Sequence, residues 1–129
     1  MSRASKRILV VDDEHDAALT LKVVLEEYGM LVDCFTDPIT ALKNFKPNVY
    51  DLIILDISMP EINGFELYKR FKSEDSRVKT IFLTALSTVE PYNIHGGEVY
   101  PKEGERHFLQ KPITNRELLQ QVYFITNLC

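Results

Sequence analysis

Leu52, Ile53, Ile54 and Leu55 form an unbroken apolar run that ends on one carboxylate, Asp56, with Pro60 closing the segment. A strand with one wet face alternates apolar and polar residues. A strand apolar at every position is covered on both faces, as in a parallel sheet flanked by helices. "RILVV" (Arg7 to Val11) is nearly all apolar in the same way, and "KTIFLT" (Lys79 to Thr84) reads as a further strand. Two shorter segments, "LVDCF" and "HFLQ", complete a set of five. Helix-like segments lie between them. Ala18, Leu21, Leu25 and Tyr28 are spaced to share one face, with Gly29 as a stop. Asp37 and Pro38 stand at the N-cap and first helical positions of "TDPITALKNF". Asn63-Gly64 reads as a turn into a helix whose inward residues are Phe65, Leu67, Tyr68 and Phe71. A capping box, Thr114 with Glu117, opens a last helix carrying Leu118, Val122 and Ile125. Strand and helix in regular alternation predict a doubly wound α/β fold around a five-stranded parallel sheet. Residues 86–106 break the pattern with Pro91, Gly96, Gly97, Pro101 and Gly104. A lengthened, irregular fourth-helix region, mostly loop, is expected there, because interior proline costs about 3 kcal/mol and glycine about 1.

The chain has 129 residues, 45% of them hydrophobic, enough for one domain with its own core. The net charge of -4 and the lack of long basic runs argue against direct nucleic-acid binding. Cys34 and Cys129 have no metal-ligand spacing and read as free thiols of a reducing compartment. Neither a signal-peptide core nor a membrane span is visible, so a soluble, cytoplasmic protein is expected.

In doubly wound sheets the working site lies at the carboxyl ends of the strands. Here those ends carry Asp12, Asp13 and Glu14 after strand one, Asp56 after strand three, Thr84 after strand four and Lys111 after strand five. Clustered carboxylates repel one another unless a cation intervenes, and oxygen ligands with room for water suit Mg²⁺. A hydroxyl and an ammonium are donors suited to a phosphoryl oxygen. The set fits a carboxylate nucleophile, Asp56, with metal on one side and donors on the other. Singly, each residue has a plainer reading: Asp12 or Asp13 as a helix cap, Asp56 as a turn residue, Thr84 as a strand-end hydroxyl, Lys111 as a solvated lysine. His15, His95 and His107 read as surface or loop residues.

"ILVVDDE", "DLIILDISMPEINGFEL", "IFLTA" and "HFLQKPI" together resemble the receiver domain of two-component response regulators, the CheY-like family, over nearly the whole chain. The resemblance implies that Asp56 accepts phosphate from a sensor histidine kinase or phosphotransfer protein. It also implies Mg²⁺ (or Mn²⁺) held by Asp13, Asp56 and the Ser58 backbone carbonyl, with Asp12 acting through water. Thr84 would bond the phosphoryl group, Lys111 would pair with it, and Phe108 would be the aromatic switch. Met59-Pro60, Gly64 and Gly104 match family loop positions, and Lys111-Pro112 a cis peptide site. Ser58 and Leu86 occupy the positions that tune hydrolysis, and leucine there implies a slowly hydrolysing phosphoryl group. By the same resemblance the chain is not an enzyme beyond its own phosphorylation and dephosphorylation. Residues 1–129 form a single receiver domain, alone or as the N-terminal part of a longer regulator, with an unknown output partner. The interval between Thr84 and Lys111 is longer than usual in the family, which puts the ordinary output surface in question. A phosphohydrolase with an aspartate nucleophile is disfavoured because Ser58 stands where such enzymes carry a second acid. A phosphate-independent binding module is disfavoured by the intact acidic set, and a flavin-binding sheet by the lack of a phosphate loop after strand one.

Overall fold

The computed structural model describes residues 5–59, 62–85 and 107–127. Five strands, β1 (Arg7–Val11), β2 (Leu31–Phe35), β3 (Leu52–Asp56), β4 (Thr80–Thr84) and β5 (Phe108–Gln110), form one parallel sheet in the order β2-β1-β3-β4-β5. Among the described residues four helices accompany them: α1 (His15–Glu27), α2 (Pro38–Asn44), α3 (Gly64–Glu74) and α4 (Asn115–Thr126). The region between β4 and β5, where an irregular helix and Gly104 are expected, lies outside the described residues.

The unbroken apolar strands have the environment their sequence requires. Every residue of β3 and β4 is buried. Odd and even positions feed separate cores, since successive side chains point to opposite faces. Ile8, Val10, Ile54, Ile81 and Leu83 pack with Leu21 and Leu25 of α1 and Val122 and Ile125 of α4. Leu9, Val11, Ile53, Leu55 and Phe82 pack with Ala41 of α2 and Phe65, Leu67 and Phe71 of α3.

The helix ends follow local chemistry. Asp37 and Thr114 cap α2 and α4 as expected, and the Thr114–Glu117 capping box is complete. Asn63 is the N-cap of α3 rather than part of a separate turn, its side chain accepting the Glu66 N–H at 2.9 Å. Gly29 takes φ +84°, where its N–H reaches the Glu26 carbonyl and that of Met30 reaches Leu25. This Schellman closure needs the left-handed residue that glycine supplies. Tyr28 departs from the expected inward face. It is the C-cap of α1, beyond the last full turn, and is 56% exposed, while Val24 takes the inward place.

Candidate functional site: a carboxylate cluster at the strand ends

The strand order reverses between β1 and β3, so the crevice of the sheet opens where these two strands end. Register then fixes the neighbours. Val11 pairs with Leu55, so the residues that follow, Asp12 and Asp56, stand side by side. The Asp12 N–H donates to the Phe35 carbonyl and the Ile57 N–H to Leu83, which extends the ladder past both acids. Asp12 is fully buried and Asp56 nearly so, whereas Asp13 is exposed. Carboxylate oxygens of Asp12, Asp13 and Asp56 all lie within 4.8 Å of one another.

Lys111 enters from the far side of the sheet. Its N–H donates to the Thr84 carbonyl at 2.7 Å, and the peptide bond to Pro112 is cis. Its ammonium lies 2.9 Å from Asp12 Oδ2, 2.8 Å from Glu14 Oε1 and 3.7 Å from Asp56 Oδ2. The Asp12 contact is an ion pair whose angles depart from those of a hydrogen bond, leaving Oδ2 of this buried acid without a directed donor. Asp12 Oδ1 accepts the Glu14 N–H at 2.9 Å. Asp56 Oδ1 accepts the Ser58 N–H at a long 3.3 Å.

Burial, then the Asp12 charge, push the Asp56 carboxyl up to about 7. Lys111 opposes them, a hydrogen bond with Asp13 favours the protonated form, and the Ser58 N–H pulls the other way. Burial lowers Lys111, but the hydrogen bond to Glu14 and the close pairing with Asp12, with the charges of Asp12 and Asp56, outweigh it and hold the ammonium above its ordinary value. Glu14 is held below its ordinary value, first by its hydrogen bond to Lys111 and then by that residue's charge. One lysine thus faces more acids than it can neutralise. An under-donated buried oxygen beside two further carboxylates is a site whose donors suit a hard divalent cation.

Comparison with known proteins agrees with this geometry. The sequence model of the response regulator receiver domain matches residues 8–123. The chain belongs to this receiver domain family. It is 33% identical over 116 residues to the transcriptional regulatory protein CusR of Escherichia coli, and 34% identical over 119 residues to the regulatory protein VanRB of Enterococcus faecalis. These alignments cover 90% and 92% of the chain but only 49% and 51% of the relatives, so the chain spans about half their length. Among solved structures, the response regulator TrrA of Thermotoga maritima, in complex with Mg²⁺ and beryllofluoride, superposes with TM-score 0.73 at 33% identity, covering 93% of this chain and 98% of that one. The non-phosphorylated HemR receiver domain of Leptospira biflexa reaches TM-score 0.79 at 26% identity, covering 97% of each.

Within the receiver domain the structure gathers Asp12, Asp13, Asp56 and Lys111 as the strand-end reading expects. Thr84, buried, ends β4 beside them, one residue past the Asp56–Leu83 pair. Ser58 is exposed just beyond β3. Phe108 is half-buried, its ring 5.5 Å from that of Phe82 and 6.3 Å from that of Phe65. Leu86 and Pro60 lie outside the described residues. Two site features escape sequence reasoning. Glu14 is read from the sequence as a strand-end acid beside Asp12 and Asp13, but its pairing with Lys111 at 2.8 Å, across 97 positions, is not. Gly64 packs on the Asp56 backbone: a Cβ there would stand 2.6 Å from the Asp56 carbonyl oxygen. Among the described residues no helix is long and apolar enough to cross a membrane.

Proposed function

We propose that Asp56 is the phosphoacceptor of this receiver domain, supplied by a sensor histidine kinase or phosphotransfer protein. The observation that carries the proposal is the convergence of Asp12, Asp13, Asp56 and Lys111 on the β1–β3 crevice. An Asp56 oxygen forms the new bond to phosphorus as the donor's P–N bond breaks and its electron pair leaves on the imidazole. The nucleophile must be ionised, yet a carboxyl titrating at about 7 is only part ionised at neutral pH. Asp13, Asp56 and the Ser58 carbonyl would hold Mg²⁺ or Mn²⁺, with Asp12 acting through water. When bound, the cation supplies the positive charge that keeps these acids ionised and offsets charge on the transferred group. Thr84 and Lys111 donate to the phosphoryl oxygens. Phe108, half-buried against Phe82 and Phe65, is the element whose population shifts as Thr84 is drawn in. On this reading the chain turns over no separate substrate, works in the cytoplasm, and passes its state to an output partner.

Exposure to acetyl phosphate tests the proposal by intact mass. One phosphoryl group should add with Mg²⁺ present, and none in chelator or in Asp56→Asn. Uptake that ignores metal or survives the substitution would refute it. The metal site has its own readout. At about ten times its dissociation constant Mg²⁺ should stabilise by about 1.4 kcal/mol, a rise in Tm of about 4–6 °C. Asp13→Ala should lose most of that rise. An equal rise in this variant would remove Asp13 from the metal site.

A further inference from the structure

Glu14 occupies the N-cap position of α1, yet its side chain makes no capping bond. Ser, Thr, Asp and Asn are the residues that cap, and glutamate is too long to do so well. The Glu14 backbone serves the helix normally, its carbonyl accepting the Ala18 N–H at 3.0 Å. The carboxylate turns away instead to meet Lys111 at 2.8 Å. Glu14 and Asp12 occupy the Lys111 ammonium at contact distance, while Asp56 stands at 3.7 Å.

We propose that Glu14 is a positioning residue that holds Lys111 back from Asp56, and so biases the receiver toward its unphosphorylated state. The inference rests on Asp56 being the phosphoacceptor and adds a regulatory element to that site. A phosphoryl group on Asp56 offers three acceptor oxygens and close to two negative charges. A charge-assisted bond to Lys111 needs about 2.8 Å, so the ammonium must move toward it and release a partner. Asp12 is fully buried, and stripping it of its cation leaves an uncompensated charge. Glu14, 65% exposed in its side chain, can return to water. Beside it lies a cleft of about 330 Å³, lined by Asp16, Ala17, Thr20 and Lys111 among others, which gives the released side chain room. Glu14 is therefore the partner that exchanges, and its hold on Lys111 is lost whenever the phosphoryl group is engaged.

Beryllofluoride with Mg²⁺, which mimics a phosphoryl group on a carboxylate, provides the test on the wild-type chain, Glu14→Gln and Glu14→Asp. Aspartate keeps the charge but is one methylene shorter and caps α1, so it gives up Lys111. Exposed ion pairs are modest, so both variants should reach half-saturation, by fluorine NMR, at roughly two- to fivefold lower beryllofluoride. The affinity for Mg²⁺ alone should stay unchanged in Glu14→Asp, which keeps the charge. Improvement in Glu14→Gln only would assign the effect to the charge field and overturn the latch. Unchanged saturation in both variants would overturn it too, and weaker Mg²⁺ binding by Glu14→Asp, whose charge is intact, would make Glu14 a metal ligand instead. A wild-type chain that binds no beryllofluoride would sink the phosphoacceptor reading itself, and the latch with it.

Discussion

Asp56→Asn should make the metal-free protein more stable, by about 1–3 kcal/mol at pH 8, with the gain fading as the pH falls. The unfolded Asp56 ionises near the ordinary aspartate value of about 3.9, whereas burial and the Asp12 charge bring the folded group to about 7. Between these values the folded chain binds more protons than the unfolded one, so wild-type stability declines as the pH rises through that window. Each tenfold change in ionisation is worth about 1.4 kcal/mol, which caps the penalty at a few kcal/mol. Asparagine keeps the shape and carries no charge. Urea unfolding of both proteins in chelator at pH 8 and pH 5 checks this: a clear gain at pH 8 that is mostly gone at pH 5. A variant less stable than wild type at pH 8 would mean that Asp56 is not electrostatically strained.

Gly64→Ala should destabilise by about 1–3 kcal/mol, the usual range for forcing a group into a packed site. The sign is diagnostic, because alanine normally favours a helix over glycine by about 1 kcal/mol. Gly64 is the first residue of α3, and its N–H donates to the Ile57 carbonyl at 2.9 Å. A Cβ there would meet the Asp56 carbonyl oxygen at 2.6 Å and the Ile57 Cα at 2.9 Å, both backbone atoms without a rotamer to yield. The segment carrying the nucleophile would have to shift, so beryllofluoride binding should weaken along with stability. A neutral or stabilising alanine would show that α3 can move off β3 at little cost.

Much of this fold is legible in the sequence because its central strands are buried on both sides. β1 and the edge strand β2 keep the bounds read for them, Arg7–Val11 and Leu31–Phe35, and the caps at Asp37 and Thr114 announce their helices. Parallel pairing then delivers Asp12, Asp56 and the approach to Lys111 to one edge, so the members of the site follow from strand ends alone. Contact partners do not follow. Glu14 reads as one more acid in a helix entry, and only the fold brings Lys111 to it. Tyr28 satisfies the helical period but sits past the last turn, where the chain reverses at Gly29 and the core ends. The glycine at position 64 reads as turn chemistry, while its reason is the close approach of α3 to the Asp56 backbone.

Which carboxylate receives the phosphoryl group can be read directly, because an acyl phosphate can be located chemically. Borohydride reduces the acyl carbon, releases phosphate and leaves homoserine in place of the aspartate. After acetyl phosphate and Mg²⁺, sequencing of the peptides spanning residues 8–22 and 52–63 by mass spectrometry should find homoserine at position 56 alone, and none when Mg²⁺ is chelated. Homoserine at Asp12 or Asp13, or an unmodified Asp56 in a chain that has gained phosphate, would contradict the account.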